Sequence, residues 1–413
     1  GKCTENCNYN AIALVKEKVL IFNELCHSCG VCSYVCPEGA LTDRDAVIGK
    51  VEATDNRDGF RFVHGYLNVG ESLAPNVVRA VKKYAAPEAV NILDASPGTA
   101  CPVVEAVENT DAAVLLTEPT PFGLNDLKLA VGLTLKLGIP TGIVINRSDN
   151  QDEIIESYAA SVGLPVIGNI PFRREYAEAY SRGEILADVF PEFTENMKSI
   201  YSNILALQGS PAPQPPEEES VKVTPRTQEL TASGHTTAAK EITVISGKGG
   251  TGKTTVTASF AKLSQNAVFA DNDVDAADLH LLLSPETREA YDFTGGVKAR
   301  IDPARCTACG KCAEYCRFDA IRFDGSANQA FDKTYRIEPF ACEGCGLCPL
   351  VCPVSAISAS PNITGKWYIA DTEWGPMVHA RLGIAEENSG RLVAKVREKA
   401  ADLSDNLGKE RII

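Results

Sequence analysis

Two runs of cysteine, Cys306, Cys309, Cys312, Cys316 and Cys342, Cys345, Cys348, Cys352, share the spacing C-x2-C-x2-C-x3-C and follow closely on a glycine-rich loop. Four thiolates at this spacing suit an iron-sulfur centre. A structural zinc site has no use for the third C-x2 step and the x3-C tail. The loop, Gly247, Lys248, Gly249, Gly250, Thr251, Gly252, Lys253 and Thr254, fits G-x-x-x-x-G-K-[ST], the pattern whose backbone amides cradle phosphates. Any fold for this chain must present both a thiol cage and a phosphate cradle.

Composition narrows the rest. The 413 residues and 44% hydrophobic content suit about three globular domains. A formal charge of -14, with no basic stripe, argues against a nucleic-acid partner. No apolar run approaches the roughly 20 residues that span a bilayer, and the first residues have no apolar signal core, so neither a membrane nor secretion is expected. Of 15 cysteines, only Cys101 stands outside the cluster-type spacings, which points to a reducing cytoplasm and not to disulfides.

The chain matches itself. Residues 1–7 followed by Asn10-Ala11-Ile12 align with residues 310–316 followed by Asp319-Ala320-Ile321, and Cys26 to Cys36 aligns with Cys342 to Cys352. Val63-His64 likewise pairs with Val378-His379. We read parts of two tandem copies, cut at both ends from a longer protein. The expected divisions are a partial ferredoxin domain (1–49), the C-terminal half of an ATPase domain (50–207) and a proline-rich acidic linker (208–240). Then come the phosphate-loop half of a second ATPase domain (241–299), a two-cluster ferredoxin insertion (300–360) and a continuation of the ATPase (361–413).

Apolar runs predict strands at Ile242 to Ile245, Val268 to Ala270, Val90 to Leu93, Ala112 to Leu116, Gly142 to Ile145 and Val166-Ile167. Helical patterns cover Lys253 to Leu263, Leu124 to Leu137, Ile154 to Ala160 and Phe193 to Leu207. Such alternation predicts an α/β fold, a parallel sheet flanked by helices, carrying inserted α+β bacterial-type ferredoxin domains. His64 and His379 are expected in packing or capping roles.

In the loop itself, Lys253 is placed to reach the β and γ oxygens of ATP, and Thr254 to hold Mg²⁺. From Lys248 to Thr255 the sequence resembles the deviant Walker A loop of MinD/ParA/Mrp ATPases, of the SIMIBI class. That resemblance implies a nucleotide-sandwich dimer, or pairing of the tandem copies, in which Lys248 reaches the partner's phosphates. It also implies that Asp273, in Asp271-Asn272-Asp273, belongs to switch I, and that Asp94, in Asp94-Ala95-Ser96-Pro97-Gly98, senses the γ-phosphate. Asn146 resembles the residue that reads adenine.

In two-cluster ferredoxins the fourth cysteine of each run ligates the other cluster. This assigns Cys306, Cys309, Cys312 and Cys352 to one [4Fe-4S] cluster, and Cys342, Cys345, Cys348 and Cys316 to a second. Cys26, Cys29, Cys32 and Cys7 make a further set, whereas Cys3 and Cys36 lack two partners. Pro37 and Pro353 follow the last cysteine of two runs; Asn8 and Arg317 follow the others.

The chain resembles the ferredoxin-containing branch of MinD-type ATPases over nearly its whole length outside the linker. The resemblance implies an ATPase whose nucleotide state gates electron transfer to a redox partner. Its alternatives are an ATP-dependent carrier that delivers clusters to an apo-metalloprotein, and a ferredoxin on a non-hydrolysing scaffold. A further expectation is that the two half-domains close as one permuted ATPase, with Val90 to Leu93 displacing Arg411 to Ile413 from the sheet and Asp94 brought near Thr254.

Overall fold

The structure, a computed structural model, describes residues 1–55, 59–71, 73–149, 151–209, 213, 239–246, 250–264, 266–386 and 389–413. The chain forms two compact units. One gathers residues 1–94, 293–365 and Glu386; the other gathers 95–292, 366–385 and 389–413. Each is therefore assembled from segments that are not consecutive in the sequence. Most of the stretch expected as a linker lies outside the described residues.

In the first unit, short helices carry the cysteine motifs. Lys311–Tyr315 and Leu347–Val351 each begin after a glycine in the left-handed region, Gly310 and Gly346, which turns the chain between the second and third cysteines of a run. The antiparallel hairpin Ile321–Gly325 with Thr334–Ile337 lies between them. The same order recurs nearer the N-terminus, with helices Lys2–Glu5 and Val31–Val35 around the hairpin Ile12–Val15 with Lys18–Ile21. Val31 is buried in one apolar cluster with Ile301, Ile321, Leu347, Val351 and Ile357, so the two ferredoxin pieces share a core. A third antiparallel hairpin, Gly49–Asp55 with Arg61–Leu67, sets His64 opposite Glu52.

The second unit is α/β. Ala113–Thr117, Thr141–Ser148 and Val166–Pro171 form a three-stranded parallel sheet. The helix Pro121–Lys136, capped by the Thr120 hydroxyl, buries Leu127, Val131 and Leu135 against Ile143 and Ile145 on one face. Helix Pro191–Leu207 covers the other face through Ile200 and Leu207. A six-stranded sheet has the order Glu286–Ile301, Ile357–Thr372, Gly375–Leu382, Ala267–Asp271, Arg411–Ile412, Lys240–Glu241. Its last four strands are parallel.

Three expectations need correction. The sheet of the second unit is not continuous but divided into two. The strand expected at Ile242 to Ile245 falls at Lys240–Glu241, with the Ile242 amide still bonded to the Ile412 carbonyl at 2.8 Å. Most consequentially, Val90 to Leu93 forms no strand: Val90 and Ile92 are 65% and 87% exposed, while Arg411–Ile412 fills the slot between Lys240–Glu241 and Ala267–Asp271. Ile413 completes it, donating to the Val268 carbonyl and accepting from the Ala270 amide. Continuity explains the choice. Helix Ser389–Leu407 delivers Arg411 to the sheet through three residues, whereas a strand from residue 90 would have to close a far longer loop.

Candidate cluster and nucleotide sites

Two thiol-lined cavities lie in the first unit. Cys306, Cys309, Cys312 and Cys352 line one, with Ile301 and Ile357 behind them. Cys342, Cys345, Cys348 and Cys316 line the other, and Cys312 borders both. The fourth cysteine of each run thus faces the first three of the other run, because each short helix ends by aiming its last cysteine across the shared core. Apolar walls press on these thiols: burial pushes Cys312 up to about 11 and Cys348 up to about 12. Binding a cationic iron centre would reverse that preference, since coordination deprotonates a thiol outright.

Backbone amides already point at sulfur. Ala356 N donates to Cys352 Sγ at 3.2 Å and Ala308 N to Cys306 Sγ at 3.4 Å, contacts that stabilise a thiolate and tune a bound cluster. Among the described residues, no three His, Cys, Asp or Glu side chains converge tightly enough to hold a single metal ion. The thiols surround cavities, an arrangement that fits a cluster.

In the N-terminal piece, Cys3 is buried, and Cys7, Cys26, Cys29, Cys32 and Cys36 are half-buried. Cys36 accepts a hydrogen bond from Ala40 N at 3.4 Å, repeating the Cys352 contact with Ala356. Cys29 and Cys345 share a side-chain hydrogen bond, which pulls Cys29 down to about 6 and pushes Cys345 up. Cys101 begins the helix Cys101–Val107, half-buried in the second unit.

A cavity of about 370 Å³ opens beside helix Lys253–Leu263 and is lined by Lys253, Thr254, Thr257, Asp271, Asn272 and Asp273 among others. Gly247, Lys248 and Gly249 lie outside the described residues. Gly252 caps the helix at φ 92°, a conformation that suits glycine and exposes the first-turn amides for a phosphate. Thr255 is exposed in that first turn, and Gly250 and Thr251 precede it at the loop's surface. Lys253 Nζ lies 2.8 Å from Asp273 Oδ2, so the residues expected to hold phosphate and to line switch I are in contact.

Asp271 has a different task. Only 6% exposed, it accepts the amides of Asp273 (3.1 Å) and Leu279 (3.2 Å) and thereby shapes the turn that presents Asp273. Burial raises its carboxyl to about 6 despite those bonds. The sequence reading missed Asn125, Asp126 and Asp278 altogether. Asn125 Nδ2 donates to Asp278 Oδ1 at 3.1 Å, joining segments 153 residues apart, and burial, then the charge of Asp126, lifts Asp278 to about 6. No local pattern signals such a contact.

Two expected residues are not brought to the cavity lining. Asp94 is exposed and belongs to the first unit, and Val90 to Leu93, the strand expected to carry it, is not formed. Asn146 lies half-buried within Thr141–Ser148, paired with Ile170. His64 bonds Glu52 at 3.0 Å, and His379 stacks on Tyr368 and His280.

Comparison with known proteins bears on the cysteine motifs. Residues 305–356 match the 4Fe-4S dicluster domain family and residues 19–42 the 4Fe-4S binding domain family. The uncharacterized protein MJ0578 of Methanocaldococcus jannaschii is 33% identical over 231 residues, 48% of this chain and 81% of that protein. The chain belongs to the MJ0578 family. The uncharacterized protein MJ0579 of the same organism is 32% identical over 180 residues, 43% of this chain, and the match spans 62% of MJ0579. More distantly, the iron-sulfur cluster carrier protein of Aquifex aeolicus is 29% identical over 116 residues, 24% of this chain and 32% of the carrier. This member of the MJ0578 family is thus a mixed α/β protein with a parallel sheet and 4Fe-4S ferredoxin domains. No helix among its described residues is long and apolar enough to cross a membrane.

Proposed function

We propose that the chain is a cytoplasmic, ATP-binding iron-sulfur protein that hands a cluster to an apo-protein acceptor under nucleotide control. The observation that carries this reading is the presence, in one chain, of two four-thiol cavities and a nucleotide-sized cavity at Lys253. The likeness to an iron-sulfur cluster carrier protein favours delivery over electron relay. Lys253 and Thr254 would hold the phosphates and Mg²⁺, with Lys248 and Asp94 acting once a second ATPase domain completes the site, by dimerisation or by pairing of tandem copies. Asn146 would serve the adenine of a complete domain. Cys306, Cys309, Cys312 and Cys352, and Cys342, Cys345, Cys348 and Cys316, would each hold one [4Fe-4S] cluster, which supplies a one-electron couple when bound.

A second reading, gated electron transfer, is favoured by one specific feature: the crossed sites have all eight positions filled by internal thiols, leaving no open coordination for release. Lys253→Ala separates nucleotide-dependent function from a passive scaffold. MgATP binding by calorimetry should disappear in the variant while iron content stays unchanged; equal binding in both proteins would refute the nucleotide assignment.

A further inference from the structure

The residue after the last cysteine of the first run is Asn8 in one ferredoxin piece and Arg317 in the other, where the second runs carry proline. Cluster binding makes no use of this difference. Both side chains instead reach the opposite piece. Arg317 donates through one terminal nitrogen to the Ser28 carbonyl at 3.0 Å, and Asn8 Nδ2 donates to the Gly344 carbonyl at 2.8 Å. Ser28 and Gly344 occupy the same motif position, immediately before Cys29 and Cys345. Proline at either site would have no donor to offer.

The reciprocity goes further. Gly30 and Gly346, each following the second cysteine of its run, have φ 78° and 79°. A Cβ on Gly30 would stand 2.8 Å from Arg317 Cζ, and one on Gly346 would stand 3.4 Å from Asn8 Nδ2. Where the two loops meet, equivalent residues face each other: His27 Nδ1 lies 3.4 Å from Glu343 Oε2, and Cys29 and Cys345 pack against one apolar cluster. Contacts in which i meets j of the other copy while j meets i define an isologous, twofold interface. Arg317 to Asp43 at 2.8 Å, and the Tyr9 hydroxyl to the Glu343 carbonyl at 2.7 Å, secure its rim.

We propose that this is a docking junction between two ferredoxin modules, and that an electron crosses it between the Cys7, Cys26, Cys29, Cys32 set and the Cys316, Cys342, Cys345, Cys348 set where the loops of Ser28 and Gly344 meet. The exchange balances within the chain: one centre is oxidised by one electron and the other reduced by one. The inference rests on the four-thiol sets holding clusters, and it adds a route by which two modules act as one conductor.

The test uses the full chain, reconstituted anaerobically with iron and sulfide, reduced with dithionite and examined by electron paramagnetic resonance. In a Cys309→Ser background, which removes the centre inside the C-terminal module that would otherwise couple, the two facing sets should show spin coupling. His27→Glu sets like charges opposite Glu343 and should abolish that coupling with iron content unchanged. Exchanging the pair, His27→Glu with Glu343→His, should restore it. In the unmutated background His27→Glu should remove one coupling component and leave the other. A fully loaded protein without coupling, coupling that survives His27→Glu, or an exchanged pair that fails to restore it would overturn the junction. A protein that takes up no iron would instead overturn the cluster assignment beneath it.

Discussion

Lys253 Nζ rests 2.8 Å from Asp273 Oδ2, so the lysine proposed to bind phosphate is paired with an acid that lines the same cavity. Incoming phosphate must displace that contact. Both side chains are about one-third exposed, so the pair is worth only about 0.5–1 kcal/mol after solvent screening. Asp273→Asn should therefore tighten MgATP binding about two- to fivefold while lowering hydrolysis. Titration calorimetry beside a phosphate-release assay checks both; weaker binding in the variant would show that Asp273 serves the nucleotide rather than competing with it.

Crossed thiol sets give distinctive iron counts. Cys316→Ser should remove about four iron atoms, and adding Cys348→Ser should remove no more, because both line one cavity. Combining Cys316→Ser with Cys309→Ser should empty both sites. If each run held its own cluster, the two double variants would give the reverse pattern.

The slot taken by Arg411–Ile412 separates two otherwise similar segments. Ile412 is 6% exposed and Ile92 is 87% exposed. Ile412→Ala should cost about 2–4 kcal/mol in urea unfolding, and Ile92→Ala under about 0.5 kcal/mol. Equal effects would place the strands differently.

His379 is held down to about 4, first by burial and then by the neighbouring His280, with Arg381 and Tyr368 close by. A histidine depressed in the folded state binds fewer protons there than when unfolded. Its contribution is present above about 6.5 and is lost as pH falls toward about 4, amounting to about 3 kcal/mol. Asp271 and Asp278, raised by burial, act in the opposite sense, stabilising the fold as pH falls below about 6. The difference between wild type and His379→Phe isolates the histidine: urea midpoints should diverge in favour of the variant as pH drops from 6.5 to 4.

Much of this was legible in the chain because it is local. The helix Lys253–Leu263 was expected with those bounds, since a glycine loop and an apolar periodicity announce it. The cysteine spacings likewise foreshadow which thiols share a cavity. What escaped was long-range competition. Val90 to Leu93 has all the marks of a strand, yet occupancy of the slot was decided by the shorter path from Leu407 to Arg411. Asn125 with Asp278, and Arg317 with Ser28, are set by tertiary packing that no window of sequence contains.

Cluster transfer from the anaerobically loaded chain to an apo-ferredoxin, timed by the acceptor's visible absorption with and without MgATP, tests the central claim most directly. Nucleotide control predicts a transfer rate that changes severalfold with MgATP in the wild type and is indifferent to it in Lys253→Ala. Identical rates with and without MgATP in the fully loaded wild type would contradict it.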